Sequence, residues 1–107
     1  MIINLETERQ NGLDEAKLAA NVMRLIDYSE SNVEPYDEDD LIEWLGEKGF
    51  IIHFYWRSRG SVEIREIKHG QPDFKQRWVE VSFIKVADFP LALALAAVRL
   101  LGEKQDG

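Results

Sequence analysis

A chain of 107 residues has room for one domain and one modest core. With 45% hydrophobic and 31% charged residues it is unlike a disordered chain. The absence of cysteine excludes disulfides, thiolate metal sites and cysteine nucleophiles, and fits a reducing compartment. The net charge of −7 opposes nonspecific nucleic-acid binding. It is unevenly spread, with 13 acidic against 4 basic residues in 1–48 and 7 against 9 in 49–107.

The first residues, Met1 to Arg9, lack the basic and apolar regions of a secretory signal. Residues 2–5 suit at most a short strand. Residues 13–28 carry Leu18, Val22, Leu25 and Ile26 at helical spacing, with Ala19 and Met23 beside that stripe. Ser29–Tyr36 is a connection. A second helix is expected over about 38–48. Asp37 is its N-cap, and Glu38, Asp39 and Asp40 complement the dipole of the first turn. Leu41, Ile42, Trp44 and Leu45 are its apolar face, and Gly49 suits the left-handed position that ends it.

From Phe50 the rhythm changes. Residues 50–56 are β-branched and aromatic, Arg57–Ser61 is a turn, and Ser61–Lys68 alternates with Val62 and Ile64 on one face. Ile67 breaks the alternation, which suggests a bulge near Glu66. A turn at His69–Asp73 precedes a third strand, Arg77–Val86, with Val79, Val81 and Phe83 opposite Trp78, Glu80 and Ser82. Asp88 is the expected N-cap of a last helix running to about Leu101. That helix is apolar nearly all round and must be covered on more than one side, for which a second subunit is one route. Lys85, Asp88, Pro90 and Arg99 interrupt the segment too often for a membrane span.

The expected fold is one α+β domain over residues 1–107, a three-stranded antiparallel meander flanked by helices in the order α-α-β-β-β-α. The expected location is the cytoplasm.

The motifs point away from catalysis. A calcium loop starting at Asp37 fails, because Leu41, Ile42 and Lys48 fall where ligands and a glycine are needed. Glu66-Ile67-Lys68, with Glu43 on the preceding helix, matches part of a metal-dependent nuclease motif. Residues 50–56 lack the central carboxylate, however, and Asp73 follows the motif instead of preceding it. His53 and His69 are the only histidines, and Ser58, Ser61 and Ser82 have no nucleophile-elbow context. Neither a cofactor site nor a metal site is expected.

Two surfaces are candidates. The first is the hairpin, Tyr55, Trp56, Arg57, Arg59 and Arg65, together with Trp78. Tyr, Trp and Arg are the residue types that dominate protein interfaces. With Lys68, Phe74, Lys75 and Arg77, the same region interleaves cations and aromatics as single-strand binders do. The second is the acidic helix start, Asp37, Glu38, Asp39 and Asp40, which would meet a basic partner.

Leu13-Asp14 with Leu18-Ala19-Ala20-Asn21-Val22-Met23, Glu34 to Asp40, Ile42-Glu43-Trp44 and Lys48-Gly49-Phe50 form a pattern similar to that of the phage ABA-sandwich domains. Phe89-Pro90-Leu91-Ala92 and Ala97 to Leu101 resemble the Pro-Leu-Ala step and last helix of that family. The resemblance spans about residues 13–102. It implies a small antiparallel sheet between helices and a phage or prophage setting, with no activity. The expectation is a noncatalytic module that binds a protein partner, or self-associates through its apolar C-terminal helix.

Overall fold

The computed structural model describes residues 1–25, 38–67, 70 and 77–102. Its elements in chain order are β1 (Ile2–Asn4), α1 (Leu5–Gln10), α2 (Glu15–Leu25), α3 (Glu38–Glu47), β2 (Phe50–Trp56), β3 (Gly60–Glu66), β4 (Trp78–Phe83) and α4 (Phe89–Ala97). A 3-10 turn at Val86–Asp88 leads into α4, and a π-turn at Val98–Gly102 follows it. The fold is α+β, as expected.

The sheet is not a three-stranded meander. It has four strands in the order β1-β4-β3-β2, and β1 runs parallel to β4. The meander β2-β3-β4 is present within it, fully antiparallel. The added strand is held by long-range contacts, including the amide of Glu80 donating to the Met1 carbonyl at 2.9 Å. Nor does a bulge form at Glu66. The β2–β3 ladder runs in register from Phe50↔Glu66 to Trp56↔Gly60, and the alternation stops at Ile67 because the strand stops.

Alternation assigns the two faces. Val62, Ile64, Val79, Val81, Phe83 and Ile3 are buried, whereas Ser61, Glu63, Arg65, Trp78, Glu80 and Ser82 are half-buried on the other side. α4 lies on the buried face against β3 and β4, and both α2 and α3 pack on α4. α1 is tied to the same side by paired Arg9–Asp88 hydrogen bonds of 2.8 and 3.0 Å, and by an Arg99–Glu8 ion pair. The described helices therefore cover one sheet face instead of flanking it.

α4 shows why this works. Ala92 to Ala97 are all buried within a single chain, alongside Leu5, Leu18, Val22, Leu41 and Leu45. Its four alanines let the sheet and two helices approach a narrow rod closely. Each fully buried Leu, Val or Ile is worth about 1.5–3 kcal/mol relative to exposure. The sheet, α2 and α3 thus cover this helix without a second subunit, and self-association through it finds no support here.

Asp88 does not cap α4 as expected. Its side chain makes no cap hydrogen bond; its carboxylate accepts both Arg9 donors instead. That hydrogen bond, with the charges of Asp88, Glu6 and Glu15, raises the Arg9 pKa against the opposing effect of burial. The glycine stop at Gly49 is realised, and Asp14 supplies a cap that was not expected. Gly49 ends α3 at φ +88°, where a side chain would be strained, and Asp14 accepts from the Lys17 amide at the start of α2. Asp37, Ile26 and, apart from Gly70, the turn at residues 69–73 lie outside the described residues.

Candidate functional site

The hairpin β2–β3 is the expected binding surface, and the register shows how its side chains divide. Directly opposed residues in an antiparallel pair share a face. Ile51 pairs with Arg65 and Arg65 with Trp78, so these three form one row across the open face. His53, Glu63, Glu80 and Ile2 form the next row, and Tyr55, Ser61, Ser82 and Asn4 the third. Tyr55, Arg65 and Trp78 therefore share this face, with Tyr55 two rows from the other two.

The other three expected residues are not on that face. Trp56 points to the packed side, where its ring lies 6.1 Å from that of Phe83. Arg57 and Arg59 sit in the turn at the hairpin tip, the Arg57 amide donating to the Arg59 carbonyl at 3.0 Å. One stretch of sequence thus supplies three different surfaces, because neighbours in a strand point to opposite sides.

Gly60 makes the aromatic packing beneath the tip possible. It stands between Trp56 and Phe83 in the cross-strand row. A Cβ built there would lie 2.6 Å from two Phe83 ring atoms and 2.7 Å from Trp56. The absent side chain is the space the two rings occupy. Phe54 and Phe89 extend the cluster, with ring centroids 4.7 Å apart.

On the open face the polar groups engage one another. Glu63 accepts from Nε and one terminal nitrogen of Arg65, both at 3.4 Å, and its carboxylate lies 3.7 Å from His53 Nδ1. Tyr55 Oη is 3.3 Å from the same His53 nitrogen. The Arg65 guanidinium lies 5.9 Å from the Trp78 ring centre, within cation–π range. His53, Ile51 and Glu63 were not among the expected site residues. Their signal was available, since residues 51, 53 and 55 share one side of a strand.

This geometry changes the charge reading of the hairpin. Arg65 is paired with Glu63, while Arg77 bonds Glu66 at 2.5 Å and the Leu100 carbonyl at 3.1 Å. Two of the expected cations are thus neutralised by adjacent carboxylates. Lys68, Phe74, Lys75 and His69 lie outside the described residues. Glu66 of the nuclease-like motif is committed to Arg77, and among the described residues no three His, Asp or Glu side chains are placed to hold a metal ion. A cleft between the tip and β1, lined by Asn4, Glu6, Arg59, Ser82, Phe83 and Ile84, holds only about 100 Å³. Ligand pockets usually run to about 300–1,000 Å³.

The acidic candidate occupies another part of the molecule. Glu38, Asp39 and Asp40 form the first turn of α3, in the helical layer on the far side of the sheet from Tyr55 and Trp78. Their placement fulfils the dipole role expected of them. No described helix is long and apolar enough to cross a membrane. The chain matches no family model, no curated protein and no solved structure.

Proposed function

We propose that this chain is a noncatalytic interaction module, phage- or prophage-encoded, that binds a protein partner through the open face of its sheet. One observation carries the reading: Tyr55, Ile51, His53, Arg65 and Trp78 stand together on a face that no described helix covers. Aromatic and Arg side chains on a rigid sheet lose little conformational freedom on contact, which is why they anchor interfaces. The phage setting rests on the family resemblance alone.

The test is retention of a stoichiometric protein from a lysate of the encoding organism by immobilised wild type, compared with the double variant Tyr55→Ala/Trp78→Ala. Retention by the wild type and loss by the variant support the reading. Equal retention by both moves the surface elsewhere, and the acidic start of α3 is then the next candidate. The single-stranded nucleic-acid alternative relies on Arg57 and Arg59 beside Trp56. It predicts salt-sensitive binding that falls in Arg57→Ala, and no binding at low salt would end it. The nuclease alternative requires magnesium-dependent cleavage that vanishes in Glu66→Ala.

A further inference from the structure

We infer that the edge of β2, unpaired among the described residues, pairs antiparallel with β2 of a second copy of this chain, about a two-fold axis at His53. This inference stands apart from the partner reading, since it uses the strand edge and needs no other molecule.

The main chain sets the geometry. The Gly49 carbonyl accepts from the Ile67 amide and the Arg57 amide donates to the Arg59 carbonyl, so both residues turn their polar groups toward β3. Successive residues of a strand direct these groups to alternate sides. Ile51, His53 and Tyr55 therefore bond β3, while the N–H and C=O groups of Phe50, Ile52, Phe54 and Trp56 point outward. β2 is the last strand of the sheet among the described residues, so these outward groups form an open ladder seven residues long.

That edge lacks the devices that normally block pairing. It has no Lys, Pro, Asp or Glu. It also exposes apolar surface: Ile51 is 40%, Phe54 45%, Tyr55 54% and Trp56 43% exposed.

The occupant that fits is another β2. A perpendicular two-fold axis keeps both sheets facing the same way, and centring it on His53 opposes all seven residues. Phe50 then meets the partner's Trp56, and Ile52 meets the partner's Phe54. Those are the positions whose main-chain groups face outward, so this register makes the most hydrogen bonds. On the open face Ile51 meets the partner's Tyr55. Every such pair sets an aromatic ring against a β-branched or aromatic side chain, the combinations that stabilise sheets. No carboxylate or ammonium of β2 opposes its like. Two-fold dimers are the commonest assemblies, and this one would join two four-stranded sheets into eight strands with both Tyr55–Trp78 surfaces on one side.

A junction of two strands buries less than the roughly 1,200 Å² at which stable interfaces begin, so the dimer is concentration-dependent. Sedimentation equilibrium of the full chain from about 1 µM to 1 mM tests it. The wild type is expected to shift from monomer to dimer across that range. His53→Lys, which sets two ammonium groups on the axis, is expected to stay monomeric with an unchanged circular dichroism spectrum. Ile2→Lys, at the opposite edge, is expected to dimerise like wild type. Hydrogen exchange at high concentration should slow the Ile52 and Phe54 amides and leave those of β1 unaltered. A wild type monomeric throughout, a dimer that survives His53→Lys, or a dimer whose Ile52 and Phe54 amides stay unprotected would each overturn the inference. Loss of partner binding with dimerisation intact would strike only the functional proposal.

Discussion

The two edges of the sheet follow opposite rules. β1 is three residues long, and the chain leaves it at once for α1, with Asn4 both closing the strand and accepting from the Thr7 amide. Shortness is itself a protection, since few main-chain groups remain for another strand to capture. Arg9 and Glu8 then fasten α1 to Asp88 and Arg99. β2 is seven residues long, free of Asp, Glu, Lys and Arg, and rich in exposed aromatic surface. Among the described residues the same chain guards one edge and leaves the other open. The difference marks β2 as the edge with something to meet.

The largest expected effect comes from removing the platform under that edge. Phe83→Ala takes away the ring against which Phe54 and Trp56 rest, and should cost about 3–5 kcal/mol in chemical denaturation. A loss below about 1 kcal/mol would mean that the aromatic rim is not held from β4. Gly60→Ala forces a methyl into the space filled by Phe83 and Trp56, for an expected loss of about 1–3 kcal/mol. Unchanged stability there would show that the rings yield freely.

Closing the comparison from the other edge, Arg9→Ala should cost about 1 kcal/mol. The Arg9–Asp88 pair is bidentate but partly solvated, and Arg9 also serves Glu6. The same change should speed exchange of the Glu80 amide, which bonds Met1, if α1 helps to hold β1 in place. The smallest effect on stability belongs to Ile51→Lys on β2, within about 0.5 kcal/mol because Ile51 stands on the open face. A large destabilisation by Ile51→Lys would place that face inside the fold and remove the contrast between the edges.

Local chemistry made much of this legible. The bounds of β2 coincide with residues 50–56 as expected, since an unbroken β-branched and aromatic run admits few alternatives. Alternation alone set Val62 and Ile64 on one side of their strand and Val79, Val81 and Phe83 on one side of theirs, and these are buried. The candidate site was less legible. A list of hairpin residues conveyed its composition, but Tyr55 and Trp56 are neighbours that point to opposite sides. Only the register with β3 and β4 puts Tyr55, Arg65 and Trp78 on one face and sets Trp56 beside Gly60 on the other.

By itself, then, the sequence determined the alternation of its strands, the apolar stripes of its helices and the glycine that ends α3, because each depends on residues within a turn or two of one another. Tertiary structure decided the rest. Ile2–Asn4 became a strand only because β4 offered a parallel edge some eighty residues away. Asp88 gave up capping for Arg9, and α4 found its cover in the sheet, α2 and α3. Such choices depend on which distant groups arrive at the same place, and no local pattern encodes that.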